Sequence, residues 1–430
     1  MVVTGRLVVV AAAAAPAVML LAPSWTAVLV AGALIFALAV TDRLLAARSA
    51  EVMLERPELT VLRLGAHTEV ELTLTNTGAR TVRGLLWDDW PDSAHATERE
   101  HRITVPASGR IRLRTTLTPT HRGDRAAGPV TLRLWGPLGL AGHQFHRDVP
   151  ARVRALPPFR SERLLAAKVK RLHHLEGRNP ADIRGQGTEF DSFREYVPGD
   201  DVRTIDWRAT ARADDVLVRT WRPERNRQVL MLLDTGRISA GRVGAGTRLE
   251  TAIEAALLLG GLAAAGGDMV GLLAYDRVVR AEVPAGGRGI QPKLMHALAG
   301  VTPALVDTDA DGLVRAAVQR ARRRSLVVWF TGLDGAAVTE NLLPVLPVLA
   351  ERHRVLIVSV TDPDIAAAAA DRGSPAALYR AAAAESRIAE HALLQESLRR
   401  MGIAVVAAAG ADLPAALADE YLELKRSGAL

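Results

Sequence analysis

From Gln228 onward the sequence alternates short, continuous apolar runs with longer stretches of helical spacing, and that alternation leaves few folds open. The run VLMLLD (229–234) is apolar until it stops at an acid, as a strand buried on both faces does when its carboxyl end reaches a site. Further runs follow at MVGLLAY, VVRAEV, SLVVWFT, RVLIVSV and IAVVAA. Helical spacing lies between them near 249–265, 292–299, 312–323, 342–350 and 375–401, with a last helix near 413–425. This order predicts an α/β domain over 228–430: a doubly wound, mostly parallel sheet with helices on both faces. Only Asp276-Arg277 separates MVGLLAY from VVRAEV, which predicts an antiparallel edge hairpin.

The N-terminus follows different rules. LVVVAAAAAPAVMLLA (7–22) and WTAVLVAGALIFALAV (25–40) are uncharged apolar runs separated by Pro23-Ser24, and Pro16 is expected to kink the first. Each spans about 24 Å as a helix, short of a hydrocarbon core of about 30 Å, so flanking residues must help. Arg6 precedes the pair, Arg43 and Arg48 follow it, and the turn between is uncharged. The expectation is a two-helix membrane hairpin over 1–45, a multi-pass anchor with the bulk of the chain on the cytoplasmic side. A secretory signal peptide is the alternative for the first run, and the second run directly behind it argues against that.

Residues 52–156 show strand alternation instead. EVELTLT sets Val70, Leu72 and Leu74 against Glu69, Glu71 and Thr73, RIRLRTTL repeats the pattern, and VTLRLW ends at Gly136-Pro137. This predicts a small antiparallel β-sandwich. Its histidines (His67, His95, His101, His121, His143 and His146) lack ligand spacing and read as surface or loop residues. Residues 160–227 form a connecting segment. It opens with an amphipathic helix over 160–178, where Leu164, Leu165, Val169, Leu172 and Leu175 share a face. The adjacent His173 and His174 point about 100° apart on that helix and cannot share a ligand.

Composition removes several function classes. Cysteine is absent, which excludes disulfides, thiolate metal sites and cysteine nucleophiles. The net charge of +7 accompanies an arginine-rich, alanine-rich bias rather than any basic zipper, zinc finger or RNA-recognition pattern, so nucleic acid is not an expected partner. No phosphate loop, His-Glu-x-x-His motif or nucleophile elbow occurs. DTDADG (307–312) matches half of an EF-hand loop, but Val318 stands where the bidentate glutamate belongs, so these acids are expected to serve a helix N-terminus.

The sheet that opens with a strand ending in Asp234 and carries an edge hairpin resembles a von Willebrand factor A domain. That resemblance implies a divalent-cation site built from an Asp-x-Ser-x-Ser loop, a threonine and a further aspartate. Asp234, Thr308 and Asp334 are the corresponding candidates. Gly236 and Ile238 occupy both serine positions, and Arg237 between them adds a cation. In the third loop, Thr331-Gly332-Leu333-Asp334, the usual aspartate position holds Gly332. Too few oxygens remain for Mg²⁺, so no cofactor is expected.

Ahead of this domain, GQGTEFDSFREYVPGDDVRTIDWRATAR (185–212) packs six carboxylates and four of the chain's arginines around Phe190, Phe193, Tyr196 and Trp207. Phe190, Arg194, Tyr196, Gly199, Asp200, Arg203, Ile205 and Trp207 stand at the spacing Phe-x-x-x-Arg-x-Tyr-x-x-Gly-Asp-x-x-Arg-x-Ile-x-Trp, with Gly185 and Ala211-Arg212 flanking it and Asp206 a further candidate within it. This resembles the bacterial family called domain of unknown function 58, from the membrane hairpin through GPLGL (136–140) to the last helix. The resemblance implies a membrane-attached protein that acts with a MoxR-type AAA+ ATPase on client proteins, in their assembly, activation or metal insertion.

Read from the residues alone, 197–200 is a turn, and Asp200 is expected to cap a helix from Asp201 with Val202, Ile205 and Ala209 inward. Between 151 and 228, 17 Arg and Lys face 12 Asp and Glu, a net of +5. Arginine forks suit those carboxylates, so the segment is expected to brace the α/β domain, and a partner-docking surface is the second reading. Acids beside arginines make poor proton donors, so a non-enzymatic protein-interaction module is expected. The alternatives are an enzyme using the acids around Asp200 and Asp234, or a cation-dependent adhesion module.

Overall fold

The computed structural model describes residues 2–21, 23–178, 189–198, 200–213, 215–222, 227–244, 246–321, 323–333 and 338–428. They form two units, Met1–Pro158 and Phe159–Leu430.

In the first unit, helices span Gly5–Leu21 and Trp25–Leu45. The Ser24 hydroxyl caps the second by accepting from the Ala27 amide at 3.2 Å, which satisfies a donor that has no partner within the helix. The first helix runs continuously through Pro16. The stretch Trp25–Glu51 contains an 18-residue window of mean hydropathy 2.1 and is long and apolar enough to cross a membrane, whereas Gly5–Leu21 is apolar but only 17 residues long. By length and composition, then, one span of the expected pair is present.

Asp42 lies near the end of the second helix and is completely buried. Its carboxylate accepts from the amides of Leu138 (2.8 Å), Leu140 (2.7 Å) and Ala141 (3.0 Å). Gly136 is needed in this loop, because a Cβ there would come within 2.0 Å of the Asp42 carbonyl oxygen. The Thr4 hydroxyl donates to the Gly139 carbonyl at 2.5 Å, and Val2–Val3 pairs with Ala141 and Gly142. GPLGL is thus a seat for both ends of the helical region.

Three sheets follow. One orders Val52–Glu55, Thr68–Asn76 and Arg110–Leu117; a five-stranded sheet orders Val2–Val3, Ala141–Arg147, Val130–Trp135, Val82–Trp87 and Glu100–Val105. The third orders Leu59–Arg63, Arg152–Leu156 and Gly123–Ala126, and its first pair is parallel, which the alternation did not foretell. Val70, Leu72 and Leu74 are buried as their alternation requires. Leu72 and Leu74 share a core with Leu86, Ile103, Leu132 and Leu134 of the five-stranded sheet.

A charged pair is enclosed in the same unit. Arg56 Nη1 lies 2.7 Å from Asp88 Oδ1, and neither side chain is exposed. Asp88 Oδ2 accepts from Trp90 Nε1 and Thr115 Oγ1, both at 2.9 Å. Arg56 Nε donates to the Val149 carbonyl at 2.8 Å, and the guanidinium lies over the Trp90 ring, 5.3 Å from its centroid. Burial lowers the Arg56 pKa, and Asp88 works against that shift.

The second unit opens with the expected amphipathic helix, Glu162–Arg178, whose Leu172 is fully buried. Ser161 fixes the approach to it by donating its amide (2.6 Å) and hydroxyl (2.9 Å) to Glu254, while Lys168 (2.6 Å) and Arg171 (2.9 Å) reach Asp419. The main sheet has six strands: β1 (Gln228–Asp234), β2 (Met269–Tyr275), β3 (Val279–Gly286), β4 (Leu326–Phe330), β5 (Arg354–Thr361) and β6 (Ala404–Ala409). Their order is β3-β2-β1-β4-β5-β6, with β3 antiparallel and the others parallel.

The helices Arg248–Ala265, Ile290–Ala299, Ala310–Arg320, Pro375–Arg400 and Leu413–Arg426 stand close to their expected places. The helix expected over 342–350 is instead a π turn, Val338–Leu342, followed by Leu346–Ala350 with Pro347 in its first turn. A further helix, Pro363–Ala370, occupies an alanine run between strand and helix for which no element was expected.

Candidate functional site

In an open sheet, side chains converge outside the carboxyl ends of the strands where the strand order reverses. Here that point lies between β1 and β4, and both strands run directly into polar residues. Asp234, at the end of β1, is only 4% exposed. Its Oδ1 accepts from the Gly236 amide (2.8 Å) and Thr308 Oγ1 (2.5 Å), and its Oδ2 accepts from Thr331 Oγ1 (2.7 Å). Ser239 Oγ donates to the Asp234 carbonyl at 2.6 Å. Burial pushes the Asp234 carboxyl above the usual carboxylate range; the three hydrogen bonds oppose this without cancelling it, and the charge of Asp276 adds to it.

Asp276, just past β2, is fully buried yet behaves oppositely. Burial alone would raise it, but Arg280 at 2.6 Å and the amides of Arg277 and Val278 hold it below the usual range. Thr235 Oγ1 donates to its Oδ2 at 3.3 Å. Above Asp234 the exposed Arg237 and Asp307 pair at 2.7 Å. Beneath them is a cleft of about 40 Å³ lined by Asp234, Ile238, Thr308, Trp329, Thr331 and Leu342 among others, room for little more than a water or two.

Of the three candidate cation ligands, Asp234 and Thr308 lie together, bonded directly to each other, while Asp334 lies outside the described residues. The donors present do not suit Mg²⁺, which takes about six oxygens in near-octahedral array. The Asp234 carboxylate already takes both threonine hydroxyls, and Asp307, the other described carboxylate lining the cleft, is paired with Arg237. A serine cannot simply return at 236: a Cβ there would lie 2.2 Å from Thr308 Oγ1 and 2.8 Å from the Val306 carbonyl oxygen. Among the described residues, no three His, Asp or Glu side chains are placed to share an ion.

Asp234 carries a pH prediction. Its folded pKa lies above the unfolded value, so its contribution to stability is fully present below the ordinary carboxylate value of 3.8 and is lost as pH rises through the folded pKa. Asp234→Asn removes that slope. The stability of the variant relative to the parent should therefore grow as pH rises above about 4, read by hydrogen exchange of the β1 and β4 amides. A difference that does not change with pH would contradict the assignment.

The signature segment folds as a small unit of its own. Glu189–Glu195 pairs antiparallel with Leu217–Arg222, Phe193 opposite Arg219 and Arg194 opposite Val218. Asp200 does not cap a helix. Its Oδ1 takes Arg194 Nη2 at 2.5 Å and its Oδ2 takes the Val197 amide at 3.0 Å, because the turn folds back onto its own strand. The Arg194 guanidinium, with the Val197 amide, holds the Asp200 carboxyl below its ordinary range.

The single helix expected after Asp201 is two short turns. Asp201 caps Val202–Thr204, and Asp206 caps Trp207–Thr210 by accepting from the amides of Arg208 and Ala209, both at 2.9 Å. The other oxygen of Asp206 accepts from Arg219 Nε at 2.6 Å. The Ala209 amide and Arg219 hold the Asp206 carboxyl low. Val202, expected inward, is 61% exposed and Trp207 is 67% exposed. Tyr196 contributes its amide, which donates to the Val216 carbonyl at 2.8 Å. Gly185 and Gly199 lie outside the described residues, and Phe190 is described through its backbone alone.

The charges that pair here therefore pair within the segment. Among the described residues, none of Arg203, Arg208 and Arg212 has an ion pair with a carboxylate; the ion pairs from 160–227 to the α/β domain are those of Lys168 and Arg171 with Asp419. Thr331, Asp276 and Ser239 were not singled out as site residues by sequence. Thr331 and Asp276 carry the signal that marked Asp234, a polar residue at the point where an apolar run ends.

Asp307 and Asp309 stand at a helix start, as expected, and Asp309 is the cap: its Oδ1 accepts from the Gly312 amide at 2.9 Å, at the head of Ala310–Arg320.

Fold and crest define a mixed α/β protein with a largely parallel sheet and a closed polar site at its switch point. Residues 192–369 match the family model described as "Protein of unknown function DUF58", so the chain carries a domain of that family. Proteins of Mycobacterium tuberculosis and Mycobacterium bovis, each named uncharacterized, are 30% identical to it over 192 residues, 44% of this chain and 60% of theirs. The match thus spans three-fifths of the length of those relatives. Among solved structures, a C. elegans MSP family member aligns at 9% identity over 24% of this chain and 97% of that one, with a TM-score of 0.18. A FixG-related protein from Vibrio parahaemolyticus aligns at 11% over 24% of this chain and 94% of that one, with a TM-score of 0.17. Similarity at that level carries no argument about fold or function.

Proposed function

We propose that this chain is a membrane-anchored protein-interaction module, that its α/β domain is of the von Willebrand factor A type, and that it works without a bound cation. The observation that carries this reading is the crest. Its buried acid, Asp234, has both oxygens occupied by hydroxyl and amide donors and lines a cleft of about 40 Å³. Among the described residues this site has no free proton-transfer group and little open volume, and what it offers outward is a surface carrying the Arg237–Asp307 pair. Asp200 and Asp206 are tied to Arg194 and Arg219, which argues in the same direction.

In this proposal both N-terminal helices hold the chain in the membrane as a hairpin, with the arginines at 6, 43 and 48 keeping its ends on the cytoplasmic side. The first domain is a β-sandwich, and the partner is a MoxR-type AAA+ ATPase that acts with it on client proteins.

The test is affinity purification of the full-length protein from native membranes, with and without ATP, and with EDTA. The expected result is an AAA+ ATPase that co-purifies in a nucleotide-dependent way and is retained in EDTA. Absence of any such ATPase from every eluate overturns the partner; its loss in EDTA overturns the cation-free reading. A folded Asp200→Ala protein that keeps its partners but loses turnover of a small molecule would favour an enzyme instead.

A further inference from the structure

We propose that the amino edge of the six-stranded sheet is a docking face for the anionic headgroups of the bilayer in which the chain is anchored. The proposal rests on the reading of the N-terminal helices as an anchor, and it concerns the edge of the sheet opposite the crest.

Adjoining parallel strands begin at the same edge, so the residues that lead into β4, β5 and β6 are brought side by side. Leu326 pairs with Arg354 and Leu356 with Ala404, and the Ser325 carbonyl accepts from the Arg354 amide at 3.0 Å. With neighbouring strands about 4.8 Å apart, the three starts fall within about 10 Å of one another. The stretches leading into them, 320–325, 351–354 and 396–402, carry eight arginines and two glutamates, a net of +6. The whole chain carries +7, so this one edge holds nearly all of its excess charge.

Arg323, Arg324, Arg352, Arg399 and Arg400 are exposed there. Of these five, only Arg400 has an ion pair among the described residues, with Glu396 at 3.4 Å. Their field reaches inward to His353, which is buried between Arg352 and Arg354 in the chain: burial, and then the charge of Arg352, hold its imidazole below the ordinary range. The edge is thus a basic surface whose cations are not neutralised from within.

Two observations select a bilayer as the anion. The helix Trp25–Leu45 belongs to a stretch able to cross a membrane, which holds a lipid surface at high effective concentration near the domain. Clusters of about four to eight basic residues close to a membrane bind its anionic leaflet. Met401, exposed directly after Arg399 and Arg400, adds an apolar tip of the kind that enters a headgroup layer beside cations. With this edge on the bilayer, the crest at the other ends of the same strands faces away from it and stays open to a partner.

The chain has no cysteine, so Ser397→Cys and Ala366→Cys each give one attachment point for a fluorophore. Both positions are exposed, the first beside the basic edge and the second beyond the carboxyl end of β5. The full-length protein is reconstituted into phosphatidylcholine vesicles with or without phosphatidylglycerol, and a nitroxide-headgroup lipid reports proximity by quenching. Quenching at 397 should rise with phosphatidylglycerol and fall again in high salt, while that at 366 changes little. Arg323→Gln, Arg324→Gln and Arg352→Gln should each lower the ratio of docked to undocked domain about fivefold, the share of one cation at an anionic surface. Arg242→Gln, an exposed position beyond the carboxyl end of β1, should leave the ratio unchanged. An unchanged melting temperature checks the folding of each variant.

The proposal is overturned by equal quenching at 397 in neutral and anionic vesicles, by equal quenching of all variants, or by a rise at 366 that matches the one at 397. A response at 397 to added polyglutamate or oligothymidine, with none to phosphatidylglycerol, overturns it as well. Flotation of the protein with neutral vesicles reads the anchor separately. It can fail while anionic vesicles still capture the edge from solution, and it can succeed while the edge stays undocked.

Discussion

Arg56→Met should destabilise the first unit by about 3–5 kcal/mol, the cost of leaving one member of a buried ion pair without its partner. Asp88 would keep Trp90 and Thr115 as donors but lose the cation that neutralises it, with no exposed surface through which to recover solvation. The substitution also removes the donor to the Val149 carbonyl and the cation over Trp90. The measurement is hydrogen exchange on the full-length protein, in which the amides of Val82–Trp87 and Val130–Trp135 should lose protection while those of β1 and β4 keep theirs. A second variant separates charge from packing. Asp88→Leu combined with Arg56→Met removes both charges and should recover part of the loss. If Arg56→Met alone leaves protection unchanged, the pair is not isolated from solvent.

Asp42→Ala should be nearly as severe and more local. Two amides of the GPLGL loop and that of Ala141 just after it donate to this carboxylate, two of the three with both partners buried, and a buried donor left unsatisfied costs about 1–3 kcal/mol. A loss on the order of 3 kcal/mol corresponds to about a hundredfold faster exchange at Leu140 and Ala141. Asp42→Asn, which keeps one acceptor, should fall between the two. Equal exchange in all three proteins would mean that the loop holds its shape without Asp42.

The six-stranded sheet was legible because its strands are buried on both faces and so appear as unbroken apolar runs such as VLMLLD and LVVWF. Asp234 and Thr308 were legible because strand ends in such sheets are where polar side chains gather. What could not be read was which partner each acid takes. Asp200 and Asp206 are both preceded by turns and followed by helix-compatible residues, and only the path of Leu217–Arg222, more than ten residues later, decides that Asp206 caps while Asp200 pairs with Arg194. The same long-range step hid the buried pair of Arg56 with Asp88, residues that are 32 apart and lie in stretches without periodicity. Of the charges expected to reach the α/β domain, Lys168 and Arg171 do so at Asp419, whereas Arg194 and Arg219 pair within the signature; closeness to acids in sequence does not tell the two cases apart.

The close approach at Gly236 also bears on how such a crest could change over evolution. With Thr308 Oγ1 and the Val306 carbonyl oxygen occupying the space that a side chain at 236 would need, no side chain fits there while both stay in place. Trimming Thr308 clears only one of the two obstacles, and the backbone around 306 must move as well. A side chain at 236 thus requires a coordinated change around it, whose first step on either side strains or loosens the packing around Asp234. The closed crest is a local trap in sequence space, easier to keep than to leave.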